Sequence, residues 1–484
     1  MGEFFQLQDL TVILPELALA AVGLFLLLLD LVVRNKRTLA YVALAGLGVS
    51  IYLLGGLRDV NVAAYGGQLA VDPFASYFKL MVLIGAGLSI GMSPRYLDVE
   101  QEQHGEFYAL IVFATMGMMF MAGGTDLVTI YIGLETMAIA TYILVGFLRR
   151  SARSNEASLK YFLLGAFSSG ILLYGMSLLY GMSGSTNLVE IADALALRPI
   201  ADPVSLLALI AVASGLFFKI AAVPFHQWTP DAYEGAPTPI SAYMSVAVKA
   251  ASFAMMVRIL MVAVYPLREH WVPMLAAVAM MTITVGNIAA LTQTNVKRLL
   301  AYSSISHAGF VLLGLIAAGS GDTYNETGMT AVVLYLFVYT FMNLGAWAVV
   351  VAVRRKGVTG ENIDDLNGMF FQHPVAAVMM LIFMLSLAGI PPTAGFVAKY
   401  YLFASVIQTG HTTVAVIAAL NVALGLYYYL RIVVAMFISE ATEKSGLSLS
   451  GGLVSVLAIT GVLTLLMGIY PDPFIDLARQ AGLF

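Results

Sequence analysis

The sequence predicts an all-α polytopic membrane protein of about fourteen transmembrane helices, and three observations predict it. Charged residues make up 11% of the 484-residue chain and apolar ones 60%, with mean hydropathy +0.89, whereas soluble domains carry roughly 25% charged residues. Apolar runs long enough to cross ~30 Å of hydrocarbon recur along the whole chain between short polar breaks. Most lysines and arginines outside those runs fall in alternate loops.

Composition also excludes several classes. A net charge of −4 spread over so many spans argues against nucleic acid as a partner. The absence of cysteine excludes a disulfide framework, a thiolate metal site and an iron–sulfur cluster in this chain. The N-terminal MGEFFQLQDL carries Glu3 and Asp9 without a basic region, so no cleaved signal peptide is expected.

In order, the spans are expected near 11–33, 38–57, 73–92, 106–122, 126–148, 156–180, 204–223, 241–265, 272–291, 297–318, 329–353, 374–408, 412–438 and 451–470. The seventh and twelfth run into prolines and are expected to continue beyond them as second half-helices. Loops after the odd-numbered spans hold Arg34, Lys36, Arg37, Arg95, Arg149, Arg150, Arg153, Lys297, Arg298, Arg354, Arg355, Lys356 and Lys444. The other side holds Arg58, Arg198, Arg268 and Arg479. Thirteen against four places both termini outside and the odd loops in the cytoplasm. The acidic strip Asp98–Glu106 and the pair Asp364–Asp365 read as solvated loops.

Seven basic residues remain inside spans: Lys79, Lys160, Lys219, Lys249, Arg258, Lys399 and Arg431. Lys79, Arg258 and Arg431 read as side chains that snorkel to the interface. Lys160 follows Glu156 by four residues, the favourable order for a helix ion pair. Lys219, Lys249 and Lys399 lie deeper, where a charge costs roughly 2.5–3.5 kcal/mol on insertion scales. Glu135 stands alone in LVTIYIGLETMAIATYILVGF, and Lys219 is its expected counter-charge. Such a pair can hold a proton when it is joined and release it when it is separated. His226 and His307 would stand between the lysines of a titratable row, and Ser303 lies one turn before His307.

Residues 216–240, LFFKIAAVPFHQWTPDAYEGAPTPI, combine Lys219, Pro224, His226 and Pro230, and both prolines are expected to interrupt the helix. A comparable segment, SLAGIPPTAGFVAKY, appears in the twelfth span. Pro224 and Pro391 each precede a tyrosine, Tyr233 and Tyr400, by nine residues, and Ser386 takes the place of Lys219. Each broken span is the fourth of five, in helices 4–8 and 9–13, so the second copy must run inverted. Inverted repeats with matching interruptions point to a transport path near the membrane midplane. The expected organisation is an N-terminal group of three helices over 1–100, a first five-helix repeat over 101–268, a second, inverted one over 269–440, and a C-terminal helix within 441–484.

The segments IYIGLETMAIATYIL, FFKIAAVPFHQWTPDAYEGAPTPISAYMSVAVKAA, NVKRLLAYSSISHAGF and GIPPTAGFVAKYYLF resemble the antiporter-like membrane subunits of respiratory complex I, which are related to Mrp-type cation/proton antiporter subunits. The resemblance covers essentially the whole chain. It implies fourteen helices, two inverted repeats and proton translocation driven by electron transfer elsewhere. Carried over by residue, it implies Glu135 and Lys219 as a modulating pair, Lys249 as the relay and Lys399 as the exit-side residue. His226, His307, Glu156, Lys160 and Tyr302 fall on secondary polar positions. The chain ends soon after its last span, which separates it from the paralogue with a long lateral helix. The resemblance also implies a hetero-oligomer with other complex I membrane subunits in a bacterial inner membrane, with FMN, iron–sulfur clusters, NADH and quinone held by partner subunits. No P-loop or glycine-rich dinucleotide turn is present in the sequence, so no redox catalysis is expected in this chain. A sodium/proton antiporter subunit and a non-transporting scaffold are the alternatives. Sodium sites favour carboxylates, and the candidate row is richer in lysine.

Overall fold

The computed structural model describes residues 7–57, 60–321, 324–354, 360–440, 447 and 449–482; Glu3, Arg58, Arg355, Lys356 and Lys444 lie outside the described residues. Among the described residues, thirteen helices are long and apolar enough to cross a membrane. They include α1 (Leu14–Val32), α2 (Arg37–Gly55), α3 (Pro73–Glu100), α4 (Gly105–Gly123), α5 (Leu127–Val145), α6 (Ala152–Ser183) and α7 (Pro203–Ile220). The short α8 (Trp228–Gly235) follows α7 across a break, and α9 (Thr238–Ala263) comes next. Then come α10 (Arg268–Leu291), α11 (Val296–Gly319) and α12 (Glu326–Val353). The twelfth passage is split into α13 (Pro374–Ala388) and α14 (Ala394–Gln408), ahead of α15 (Thr412–Phe437) and α16 (Gly451–Ile469). Among the described residues, the thirteen long helices and the split passage of α13 and α14 agree with the expected fourteen spans, of which the seventh and twelfth are broken.

Helix starts are written into the polar breaks. Asp72, Asp126, Asp202, Asn295 and Asn325 each accept a hydrogen bond from a main-chain N–H of the first turn of α3, α5, α7, α11 and α12. Those N–H groups have no partner within the helix, and a cap of this kind contributes about 1 kcal/mol. At Asp202 the Ser205 hydroxyl and N–H hold the half-buried carboxyl below its ordinary range. One departure from the all-helical expectation is a short antiparallel pair, β1 (Val62–Ala64) and β2 (Leu69–Val71), with Ala63 opposite Ala70.

Several helix pairs approach to main-chain distance, two of them near the deep charges. A Cβ on Gly117 of α4 would lie 2.6 Å from the Gly133 carbonyl of α5, and one on Gly133 2.7 Å from that of Gly117. A Cβ on Gly286 of α10 would lie 2.8 Å from the Ser306 nitrogen of α11. Small residues permit this approach in lipid, where packing rather than the hydrophobic effect drives association. α12 is buried along its whole apolar window, as expected of a helix apolar on every side.

Several expectations need correction. Lys79 and Arg258 do not snorkel. Lys79, 1% exposed, pairs with Glu16 of α1 at 2.7 Å, and Arg258 pairs with Asp72 at 2.7 Å. Arg431, half-buried, donates to the Leu291 and Gln293 carbonyls at 2.6 and 2.8 Å. Lys297 is a buried residue and not a loop cation: it donates to the Ala236 carbonyl at 2.7 Å. The Asp98–Glu106 strip is not simply solvated, because Asp98 pairs with Arg37 and Glu100 with Arg354. Pro230 does not interrupt a helix. It occupies the first turn of α8, where its missing N–H would have been unpaired.

Removing one partner of a buried ion pair strands the other, typically at a cost of about 3–5 kcal/mol. Lys79→Met should therefore lower the amount of folded subunit in membranes, and adding Glu16→Gln should restore it. Equal amounts in the single mutant and parent would contradict this.

Candidate functional site

The deep basic side chains come from four elements. Lys219 lies in the last turn of α7, Lys249 follows a π-helical turn over Met244–Val248, His307 is on α11 and Lys399 on α14. All four are at most 6% exposed. π-turns are rare and concentrate at functional sites; this one packs against α3, where a Cβ on Gly85 would meet that of Ala247 at 3.1 Å.

Both breaks are built alike. Ala221 and Gly389 take left-handed conformations, φ 61° and 85°, and cap α7 and α13. Counted from these caps, the counterpart of Lys219 is Leu387, one residue on from the Ser386 that the prolines alone suggest. In the second break Lys399 Nζ donates to the Leu387 and Ala388 carbonyls, each at 2.9 Å, so the lysine of one half closes the end of the other. Ser386 Oγ accepts from the Gly395 N–H at 3.0 Å, joining the two halves again. In the first break Trp228 Nε1 donates to the Phe218 carbonyl at 3.1 Å, and the Val223 N–H to Thr282 Oγ1 at 3.0 Å.

Lys219 Nζ and Glu135 Oε1 are both buried without a hydrogen-bond partner in the protein, and no ion pair joins them among the described residues. The carboxylate still acts on the ammonium electrostatically, and the Phe218 ring centre lies 5.9 Å from Nζ. Lys249 Nζ donates to both the carbonyl and the hydroxyl of Ser304 at 2.5 Å. The charges of Lys249 and Lys399 both act on His307 electrostatically. Its Nδ1 lies 2.5 Å from the Tyr335 hydroxyl and its Nε2 3.0 Å from that of Tyr429. Lys399 Nζ is 5.0 Å from the centre of the Phe310 ring.

Four predicted residues stand elsewhere. His226 is half-exposed beside a groove of about 270 Å³ lined by Pro224, Phe225 and Gln227, and has no hydrogen bond to Lys219 or Lys249 among the described residues. Glu156 and Lys160 form their expected pair at 2.7 Å, but on the exposed surface. Tyr302 lies against Arg298, whose guanidinium carbon is 5.9 Å from its ring centre.

Arg298 leads into a network that sequence reasoning missed. Asp231 of α8 meets Lys160 at 2.9 Å and Arg298 at 2.8 Å. Glu234 meets Arg298 at 2.8 Å and also Arg153, which reaches Glu361 at 3.1 Å. Glu361 and the buried Lys297, 3.5 Å apart, help line a cavity of about 370 Å³ on the basic-loop face. The signal for Asp231 and Glu234 was available: two carboxylates three residues apart inside an interrupted span, on one helix face. Ser304, Tyr335 and Tyr429 carried no comparable signal, since hydroxyls in apolar helices are common. Among the described residues, no three His, Cys, Asp or Glu side chains are grouped to hold a metal ion.

Residues 124–425 match the family described as NADH:quinone oxidoreductase/Mrp antiporter, TM. NADH-quinone oxidoreductase subunit N 1 of Koribacter versatilis is 52% identical over 98% of this chain and 95% of its own length. A chain of respiratory complex I from Thermus thermophilus, solved with bound Aureothin, superposes with TM-score 0.82 at 33% identity, covering 96% of this chain and all of that one. A chain of the Mrp complex from Dietzia sp. shares the fold, with TM-score 0.83 at 21% identity over 99% of this chain and 97% of its own. With long helices, broken spans and full-length similarity in agreement, this chain belongs to the NADH-quinone oxidoreductase subunit N family, the antiporter-like, proton-translocating membrane subunits of complex I.

Proposed function

We propose that this chain moves protons along a midplane row, Glu135, Lys219, Lys249, His307 and Lys399, coupled to NADH-to-quinone electron transfer in partner subunits. The observation that carries this reading is that Lys249, hydrogen-bonded to both oxygens of Ser304, and the buried Lys399 both act electrostatically on the buried His307. Redox cofactors belong to the partners in this reading, and the chain itself carries none. Moving a proton against the membrane potential costs about 2.3 kcal/mol per 100 mV. A change of one or two pKa units at a buried lysine, at 1.36 kcal/mol per unit, is of that order.

Glu135 is the modulating charge. Because it faces Lys219 from beyond ion-pair distance, approach of the two would hold a proton on Lys219 and retreat would release it toward Lys249. Lys399 hands protons out of the row. Glu156, Lys160, His226 and Tyr302 act at the periphery, where Lys160 and Tyr302 adjoin the ion-pair network of the basic-loop face. The three-helix group of 1–100 and the final helix flank two five-helix halves, 101–268 and 269–440, and each half supplies one lysine beside its break. In the cell the basic loops would face the cytoplasm and both termini the periplasm, with neighbouring complex I membrane subunits on either side.

Lys219→Ala, in a complex that still assembles, should lose coupled proton pumping and slow turnover at least about tenfold, equivalent to ~1.4 kcal/mol on a barrier. Membrane vesicles oxidising NADH give both readings, and full pumping would remove Lys219 from the path. Lys249→Arg keeps a positive charge but cannot give up its proton in the working range. It should abolish pumping as completely as Lys249→Ala; retained pumping would show that charge alone is needed there.

A further inference from the structure

α12 is buried along its whole apolar window, yet one edge of it carries polar groups. Tyr335, Tyr339, Asn343 and Trp347 follow one another at intervals of four residues, the spacing that stacks side chains along one side of a helix. Their contacts lead from the row toward the basic-loop face. The Tyr335 hydroxyl lies 2.5 Å from His307 Nδ1, and the Tyr339 ring centre lies 4.9 Å from that of His307. Asn343 Nδ2 donates at 2.7 Å to the hydroxyl of Ser245, inside the π-turn that precedes Lys249. The indole of Trp347 meets the Tyr233 ring edge-on, with 6.3 Å between centres. Tyr233 belongs to α8, and the next three residues, Glu234, Gly235 and Ala236, line the cavity of about 370 Å³ beside Lys297 and Glu361.

Two atoms on this edge are left over. Trp347 Nε1 and Asn343 Oδ1 have no hydrogen-bond partner in the protein, and both residues are fully buried. Ser245 meets only one end of the Asn343 amide, since its own proton goes to the Ala242 carbonyl at 2.8 Å. Buried polar atoms are rarely left unpaired, and ordered water commonly serves those that the protein does not. The two atoms are complementary, because Nε1 can only donate and Oδ1 can only accept. Side chains one turn apart carry their Cβ atoms roughly 5–6 Å from each other, about the reach of two hydrogen bonds of ~2.9 Å placed end to end. One water molecule satisfies both, taking the indole hydrogen and giving one of its own to the amide oxygen.

We propose that Asn343 and Trp347 are positioning residues for a short file of water along α12, through which protons enter the row from the basic-loop cavity. This inference rests on the row proposed above and on its placing of that face in the cytoplasm. The bridging water keeps its second lone pair and its second hydrogen for the waters on either side. A proton added to that lone pair from the cavity is balanced by release of the second hydrogen, as a proton, toward Tyr339 and His307, and the water turns back to receive the next. The amide and the indole exchange no hydrogen of their own: they hold the water, and the water carries the proton. The carboxylates of Glu100, Glu102, Glu234 and Glu361 line the cavity and can collect protons from the medium. Of the titratable groups nearby, Tyr233 faces Trp347 and Tyr339 lies one turn from Asn343, while the charged Glu234, Lys297 and Arg354 belong to the cavity.

The test uses the assembled complex in inverted membrane vesicles, whose basic-loop face meets the medium, and the variants N343L and W347F. W347F keeps an aromatic ring and loses the N–H. In both variants, proton pumping and NADH oxidation should fall several-fold below the parent at pH 8, and the deficit should close toward pH 6, where protons are more plentiful at the entry. A loss of packing alone lowers a variant by the same factor at every pH. Parent-like pumping in either variant at pH 8, or a deficit that pH does not change, overturns the proposal. If N343L fails to assemble, W347F decides alone. Lys249→Arg tests the underlying reading separately: pumping retained there removes the row, whereas parent-like N343L and W347F beside an inactive Lys249→Arg remove only this entry.

Discussion

Hydrocarbon offers nothing to a main-chain carbonyl or amide, and in this protein two helices, α7 and α13, stop inside it. An unpaired buried group of this kind costs several kcal/mol, so each broken end has to be closed by something else. The closures differ. At α13 the donor is the ammonium of Lys399, which bonds both Leu387 and Ala388 carbonyls and complements the negative end of the helix dipole. At α7 the indole of Trp228 donates to the Phe218 carbonyl instead, and just beyond the helix Thr282 Oγ1 accepts from the Val223 N–H. One lysine is thereby tied to its break, and the other, Lys219, makes no hydrogen bond within the protein. The difference between two chemically similar residues comes from which neighbour closes the helix.

The same economy governs the centre of the row. Lys249 meets Ser304 through both of that residue's oxygens, and Ser304 can offer them because it sits on α11 three residues before His307. A π-turn immediately before Lys249 changes the angle at which its side chain leaves α9. Charge and geometry are therefore set by different elements, α9 giving the lysine its direction and α11 giving it its partners.

Much of this was legible in the sequence. Span positions, the two interruptions and the isolated charges Glu135, Lys219, Lys249 and Lys399 followed from apolar length, proline and the cost of burying charge. Less legible was anything that depends on a partner far away in the chain. Lys79 and Arg258 looked like snorkelling residues because Glu16 and Asp72 lie 63 and 186 residues off. The contribution of α8 was hidden for another reason: Pro224 and Pro230 drew attention to where the helix stops, and Asp231 and Glu234 belong to where it starts again. The two breaks were also matched one residue out of register, because prolines mark an interruption while the left-handed caps Ala221 and Gly389 define it.

The pair between Asp72 and Arg258 joins the N-terminal helices to the end of α9, since Asp72 caps α3 and Arg258 also donates to the Ala122 carbonyl of α4. The three-helix group is thus no detachable preface. A shortened relative that dispensed with α1 to α3 would inherit a guanidinium facing lipid or a neighbouring subunit with no carboxylate to answer it. The guanidinium would keep the Ala122 carbonyl of α4 but lose its charge partner, so the first three spans and the end of α9 depend on each other electrostatically.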